Sequence, residues 1–234
     1  MNEILGVLIY EDAQPMDIIG PWEIFAFWKN IIKASLDMFL VSENGAYVQC
    51  VNDIVLKAHV NFSHCPDLDY LLVPGGPGRH QQVNNDKLIS FIQRQSRHCK
   101  YILSDCTGMF LLHQAGLLNN QSATTYWQAL PELKSFPEVQ TVEKRIVKSG
   151  QVWTAGGVSS GIDLALALIA TIAGEEAAGK VQLLFEYFPN NKVYCTPDTV
   201  QQLPPYPGST DKNAPPLPHY IRDYIDRFKT GPTD

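Results

Sequence analysis

The sequence is punctuated by apolar runs that are too short for helices and too uniform for half-exposed strands. Ile4–Tyr10 (ILGVLIY) and Tyr70–Val73 (YLLV) are the clearest. Neither alternates polar with apolar residues, so each predicts a strand buried on both faces. Helix-like segments stand between such runs. PWEIFAFWKNI predicts a helix with Pro21 in its first turn, and Asp86–Arg97 has helical spacing at Leu88, Ile89 and Ile92. Strands alternating with helices imply one α/β domain with a mostly parallel sheet covered by helices on both faces.

The remaining elements fit that frame. Leu36–Ser42 and Tyr101–Ser104 predict strands, and Met109–Leu118 a helix. Tyr47–Val51 and Val55–Asn61 predict a small hairpin around Asn52-Asp53-Ile54. Ser122–Thr125, Gln140–Glu143, Arg145–Lys148 and Val152–Ala155 predict short strands, and Trp127–Lys134 a helix. Gly161–Ala173 and Glu175–Phe188 predict two strong helices, the first apolar on most sides and so deeply buried. Prolines then crowd Pro197–Pro218, which excludes regular helix and central strand. His219–Lys229 predicts an amphipathic helix. The expected organisation is an α/β domain over residues 1–196 and a proline-rich arm over 197–234 ending in that helix. The arm is expected to dock on the same molecule or on a partner subunit.

Bulk properties narrow the function. The 234 residues carry a formal charge of −6 and no dense Lys/Arg run, which argues against nucleic-acid binding by this chain. The five cysteines are odd in number and form no CxxC pair, so neither a disulfide framework nor a zinc site is expected. His64-Cys65 is too isolated to hold a metal. GxGxxG and Walker A patterns are absent, and no cofactor is expected. The start lacks the marks of a signal peptide, and no apolar segment approaches the ~20 residues of a membrane span. These features predict a cytoplasmic, metal-free protein with a small-molecule substrate.

Ligand sites in parallel sheets lie at the carboxyl ends of strands. Three features land there: the loop from Asp12 to Gly20, the loop Pro74-Gly75-Gly76-Pro77-Gly78, and Cys106. Strand, Cys106-Thr107-Gly108, then helix follows the logic of a nucleophile elbow, in which a sharp turn lifts one side chain above the sheet. Gly108 leaves room for the chain behind the turn. A helix N-terminus would lower the thiol pKa. The competing reading is an inert buried cysteine. Gly75 and Gly76 could aim backbone N–H groups at one point and, with the N–H after Cys106, form an oxyanion-type hole; the plain alternative is a glycine turn. Asp17 sits in an apolar surround just before a helix. It is either a helix cap or a carboxyl whose pKa is raised by desolvation, able to deliver a proton beside Cys106. Glu23 is a second candidate acid, and His80 a possible partner for the thiol.

Together the stretches GVLIYEDAQPMDIIGPWEIF, LLVPGGPG, SDCTGMFLLHQAGLL, SATTYW, VWTAGGVSSGIDLALAL and VQLLFEYFP resemble the ThiJ/PfpI superfamily. That superfamily has a flavodoxin-like, class I glutamine amidotransferase-like fold. The resemblance is closest to isonitrile hydratases and to amidotransferase-like domains of some AraC-type regulators. It implies Cys106 as nucleophile, Asp17 as its acidic partner and Thr107 as the threonine after the nucleophile, where deglycase- and protease-like branches carry histidine. It also implies Gly75 and Gly76 as lining of the pocket, and a homodimer. The implied activity is cofactor-independent hydration of R–N≡C to an N-substituted formamide. The alternatives are a non-catalytic small-molecule-sensing domain and a glyoxalase or deglycase activity. Tyr126 stands where the family often has histidine and is a candidate substrate-binding residue. Asp105 replaces a small or apolar residue, and the proline-rich arm has no clear counterpart.

Overall fold

The computed structural model describes residues 2–189, 193–206 and 215–228. In chain order the elements are β1 (Glu3–Leu8), α1 (Pro15–Asn30), β2 (Leu36–Ser42), β3 (Tyr47–Gln49), β4 (Val55–Lys57), β5 (Val60–Asn61) and β6 (Tyr70–Val73). There follow α2 (Arg79–Gln82), α3 (Asp86–Ser96), β7 (Tyr101–Ser104), α4 (Met109–Gln114), β8 (Ser122–Ala123), α5 (Leu130–Leu133) and β9 (Gln140–Thr141). The last are β10 (Ile146–Ser149), β11 (Val152–Ala155), α6 (Ser160–Ala173), α7 (Glu175–Leu184) and α8 (His219–Phe228).

Seven strands form one sheet in the order β10-β11-β7-β6-β1-β2-β5. All neighbours are parallel except β10 and β11. The chain steps from β1 to β2 in one direction and from β6 to β7 in the other. Right-handed crossovers therefore put α1 and α3 on opposite faces. Helices α1, α6 and α7 pack together as one layer, and α2, α3 and α4 as the other. The central strands are sealed on both sides: β6 and β11 are buried at every position. This is the mostly parallel, doubly covered α/β domain expected from the apolar runs.

Three departures have clear causes. Helix α1 starts at Pro15, not Pro21. Pro15 takes the first position, where a missing N–H costs nothing, and Pro21 lies inside the helix. Pro21 cannot donate to the carbonyl four residues back, which belongs to Asp17. Asp17 is thus a first-turn helical residue rather than part of a loop. The hairpin pairs β3 with β4 only, and Val60-Asn61 leaves it to extend the main sheet beside β2. Helix α6 buries one face rather than its whole circumference: Ile162, Leu164, Ala165, Leu168 and Ile169 point inward, while Thr171 and Ala173 are exposed.

In the arm, Pro197–Gln202 winds as a 3-10 segment that the proline content did not suggest. The expected terminal helix is present as α8, with Lys229 outside the described residues. Among the described residues, no helix is long and apolar enough to cross a membrane.

Leu72 lies mid-strand in β6 with no exposed surface. Leu72→Ala is expected to lower the unfolding free energy by about 2–5 kcal/mol. Urea denaturation should show an earlier midpoint with an unchanged slope.

Candidate active site

Strand β7 ends at Ser104, and the chain turns sharply through Asp105 and Cys106. Cys106 has φ +54°, a left-handed conformation that costs a side-chain-bearing residue about 1–3 kcal/mol. The neighbours hold it there. Its N–H donates to Asp105 Oδ1 at 2.9 Å, and the same oxygen accepts the Ser160 hydroxyl at 2.7 Å. Its carbonyl accepts the Thr125 hydroxyl at 2.9 Å. Gly108 completes the elbow, because a Cβ there would stand 2.2 Å from the Val73 carbonyl oxygen.

Asp17 is fully buried, and Oδ2 accepts the Gly75 N–H at 2.9 Å. Its Oδ1 has no partner among the described residues. The carboxyl and the Cys106 thiol are near enough to interact electrostatically. Thr107 Oγ1 accepts the Gly76 N–H at 3.1 Å. Tyr10 donates to the Pro74 carbonyl at 2.7 Å and anchors the glycine loop. Gly75 must lack a side chain, since a Cβ would lie 2.5 Å from Thr107 N and 3.0 Å from Cys106 Cβ.

These bonds correct the expected oxyanion hole. The Gly75 and Gly76 amides are already committed, one to Asp17 and one to Thr107. Gly76 lines the cavity beside Cys106, and the two amides position an acid and a hydroxyl instead of pointing at a developing anion. Glu23 is exposed on α1, so the acid beside the thiol is Asp17.

The electrostatics also overturn an expectation. Burial, then the Asp17 and Asp105 charges, push the Cys106 thiol well above the ordinary thiol range. The Thr107 N–H and hydroxyl pull the other way and do not prevail. Helix α4 has only six residues, and desolvation is the largest influence on the thiol. Asp17 is raised well above the carboxylate range by burial and then by Asp105, against the Gly75 N–H and the thiol. Asp105 is pushed up to about 7 by burial, opposed by Ser160 and the Cys106 N–H. Burial thus favours the neutral forms of both the thiol and Asp17.

The thiol and Thr107 open on a cavity of about 240 Å³ walled by Gly76, Pro77, His80, Tyr126, Val158 and Tyr206. Cys106, Asp17, Thr107, Gly75, Gly76 and Tyr126 thus come together from four separate stretches of the chain. Sequence reasoning missed Ser160, Thr125 and Tyr206. The first two lie in motifs already noted, VSSGID and SATTYW, as small hydroxyl residues beside glycines or at strand ends. No local signal marks Tyr206.

Asp105 gives a pH test. An unfolded Asp titrates near pH ~4, and the folded group is pushed up to about 7. Between those values the unfolded chain has lost a proton that the fold retains, so stability falls as pH rises through the window and the loss is complete above it. Asp105→Asn keeps an oxygen acceptor without titrating. The drop in urea midpoint between about pH 5 and about pH 8 should be smaller in the variant than in wild type.

The chain is similar in sequence and fold to known proteins. The sequence model of the DJ-1/PfpI family matches residues 4–171. The isonitrile hydratase of Pseudomonas putida is 34% identical over 188 residues, covering 79% of this chain and 78% of that protein. The HTH-type transcriptional regulator GbdR of Pseudomonas aeruginosa is 25% identical over 148 residues, 63% of this chain but 40% of its own length. Among solved structures, a ThiJ/PfpI family protein from Pseudomonas syringae superposes with a TM-score of 0.75 at 25% identity, covering 98% of this chain and 88% of that one. Drosophila melanogaster DJ-1beta superposes with a TM-score of 0.71 at 20% identity over 80% of this chain and 98% of its own, a likeness of fold alone. With a family match across most of its length, the chain belongs to the DJ-1/PfpI family.

Proposed function

We propose that the protein is an isonitrile hydratase-like lyase that adds water to R–N≡C. The observation that carries this reading is the buried Asp17 carboxyl beside the Cys106 thiol, with the loop amides committed to holding Asp17 and Thr107. Acyl transfer needs donors aimed at an oxyanion. Isonitrile hydration begins instead with a proton and a nucleophile at one carbon, which a neutral acid and a thiol supply. Similarity to the Pseudomonas putida isonitrile hydratase supports the same assignment.

Asp17 gives its proton to the terminal carbon of R–N≡C as Cys106 sulfur bonds to that carbon. The thiol proton passes to the carboxylate this leaves, so Asp17 is again protonated. The product of this step is the thioimidate R–N=CH–S–Cys106. Water then adds to the carbon, one of its protons reaching the nitrogen through Asp17, to give R–NH–CH(OH)–S–Cys106. The C–S bond breaks as the hydroxyl proton returns to sulfur. The N-substituted formamide leaves, and the thiol is restored. Thr107, whose oxygen already accepts the Gly76 N–H, has its hydroxyl proton to offer to sulfur, to the nitrogen or to the water.

Purified wild type is expected to convert cyclohexyl isocyanide to its formamide. Cys106→Ala should abolish turnover, and Asp17→Asn should lower kcat by about 10²–10⁴-fold, both with the circular dichroism spectrum of wild type. A wild type that binds isonitriles and hydrates none would replace this reading with ligand sensing, the role suggested by similarity to a transcriptional regulator.

A further inference from the structure

The cavity over Cys106 is built mainly by the α/β core, but one wall comes from outside it. Tyr206 lies in the proline-rich arm beyond α7. Its ring stands beside that of Tyr126, with centroids 5.9 Å apart and planes tilted by 54°. Its hydroxyl is 3.5 Å from Arg79 Nη2. Arg79 is buried and held by both oxygens of Glu132 at 2.7 and 2.5 Å, with its guanidinium 3.9 Å from the centre of the Phe110 ring. The Arg79 side chain is buried while Glu132 is partly exposed, and among the described residues only Glu132 neutralises the buried guanidinium, which keeps Arg79 in place beside the tyrosine.

The arm is ordered locally before Tyr206 and packs on the core after it. Upstream, the 3-10 segment is closed by reciprocal bonds between Thr196 and Thr199. Downstream, Pro215, Pro216 and Leu217 share a cleft with Trp127 and Leu130, and Ile225 of α8 is buried. A tyrosine held this way is a broad wall of low conformational entropy.

The walls carry no Lys, Arg, Asp or Glu side chain. The volume of about 240 Å³ is below the ~300–1,000 Å³ of pockets for drug-sized ligands. We infer that Tyr206 is a specificity-determining residue: with Tyr126 it walls the Cys106 cavity so that the site takes isonitriles with compact substituents and rejects bulky ones. The choice of isonitriles rests on the hydratase reading, whereas the size filter on access to the thiol does not.

The test uses the full chain as wild type, Tyr206→Ala, Tyr206→Leu and Tyr206→Phe. Values of kcat/KM are measured for ethyl isocyanide and 2-naphthyl isocyanide. Opening the wall with Ala or Leu should raise the bulky-to-compact ratio by about tenfold or more. Tyr206→Phe, which keeps the ring, should hold the wild-type ratio. In parallel, alkylation of Cys106 by iodoacetamide and by a pyrene maleimide is followed on its tryptic peptide. The rate with the bulkier reagent should gain relative to the smaller in the same two variants. A uniform loss of rate for both partners of each pair, or unchanged ratios, overturns the size filter. If wild type hydrates no isonitrile while the alkylation ratio shifts, the filter stands and the hydratase reading fails.

Discussion

The left-handed backbone of Cys106 is the constraint around which the site is assembled. A residue with a side chain holds that conformation only where its surroundings offer no better one. Here the N–H is tied to Asp105, the carbonyl to Thr125, and the following turn fits only because Gly108 presents no Cβ to Val73. Ser160, at the start of α6, holds the Asp105 oxygen that holds Cys106. Three segments far apart in the chain therefore converge beneath one thiol, and the parallel sheet is what brings them there.

The same packing decides what the thiol can do. Burial removes the water that would solvate a thiolate or a carboxylate, so each group disfavours charge on the other. Protons therefore stay in the site. The glycine loop, which might have served an oxyanion, spends its amides on orienting an acid and a hydroxyl. In the proposed reaction, these groups deliver a proton and a sulfur to one carbon.

The arm contributes to the same cavity. It meets the core through Tyr206, the Arg79–Glu132 pair and the cleft beside Trp127. The α/β core supplies the reacting groups, and the arm supplies a wall that bounds the space above them.

Much of this was legible in the residues. Runs such as YLLV and YILS are short, apolar and unalternating, so they report doubly buried strands without tertiary information. Cys106, Thr107, Gly75 and Gly76 stand at strand ends, where a parallel sheet exposes its loops, and Asp17 is an acid in an apolar stretch. Local signals failed where packing opposed them. Pro21 resembles a helix start, yet Pro15 begins the helix and Pro21 rides inside it against α6. The turn at Cys106 suggested a lowered thiol pKa, yet desolvation by burial pushes it up. Tyr206 carries no local mark because its partners, Arg79 and Tyr126, are distant in sequence. By itself the sequence determined the doubly covered parallel sheet and the residues at its strand ends, because hydrophobic period and turn chemistry are local properties. Only the tertiary structure decided which amides were already bonded, which groups kept their protons and what walled the cavity, because each depends on burial and on contacts between distant segments.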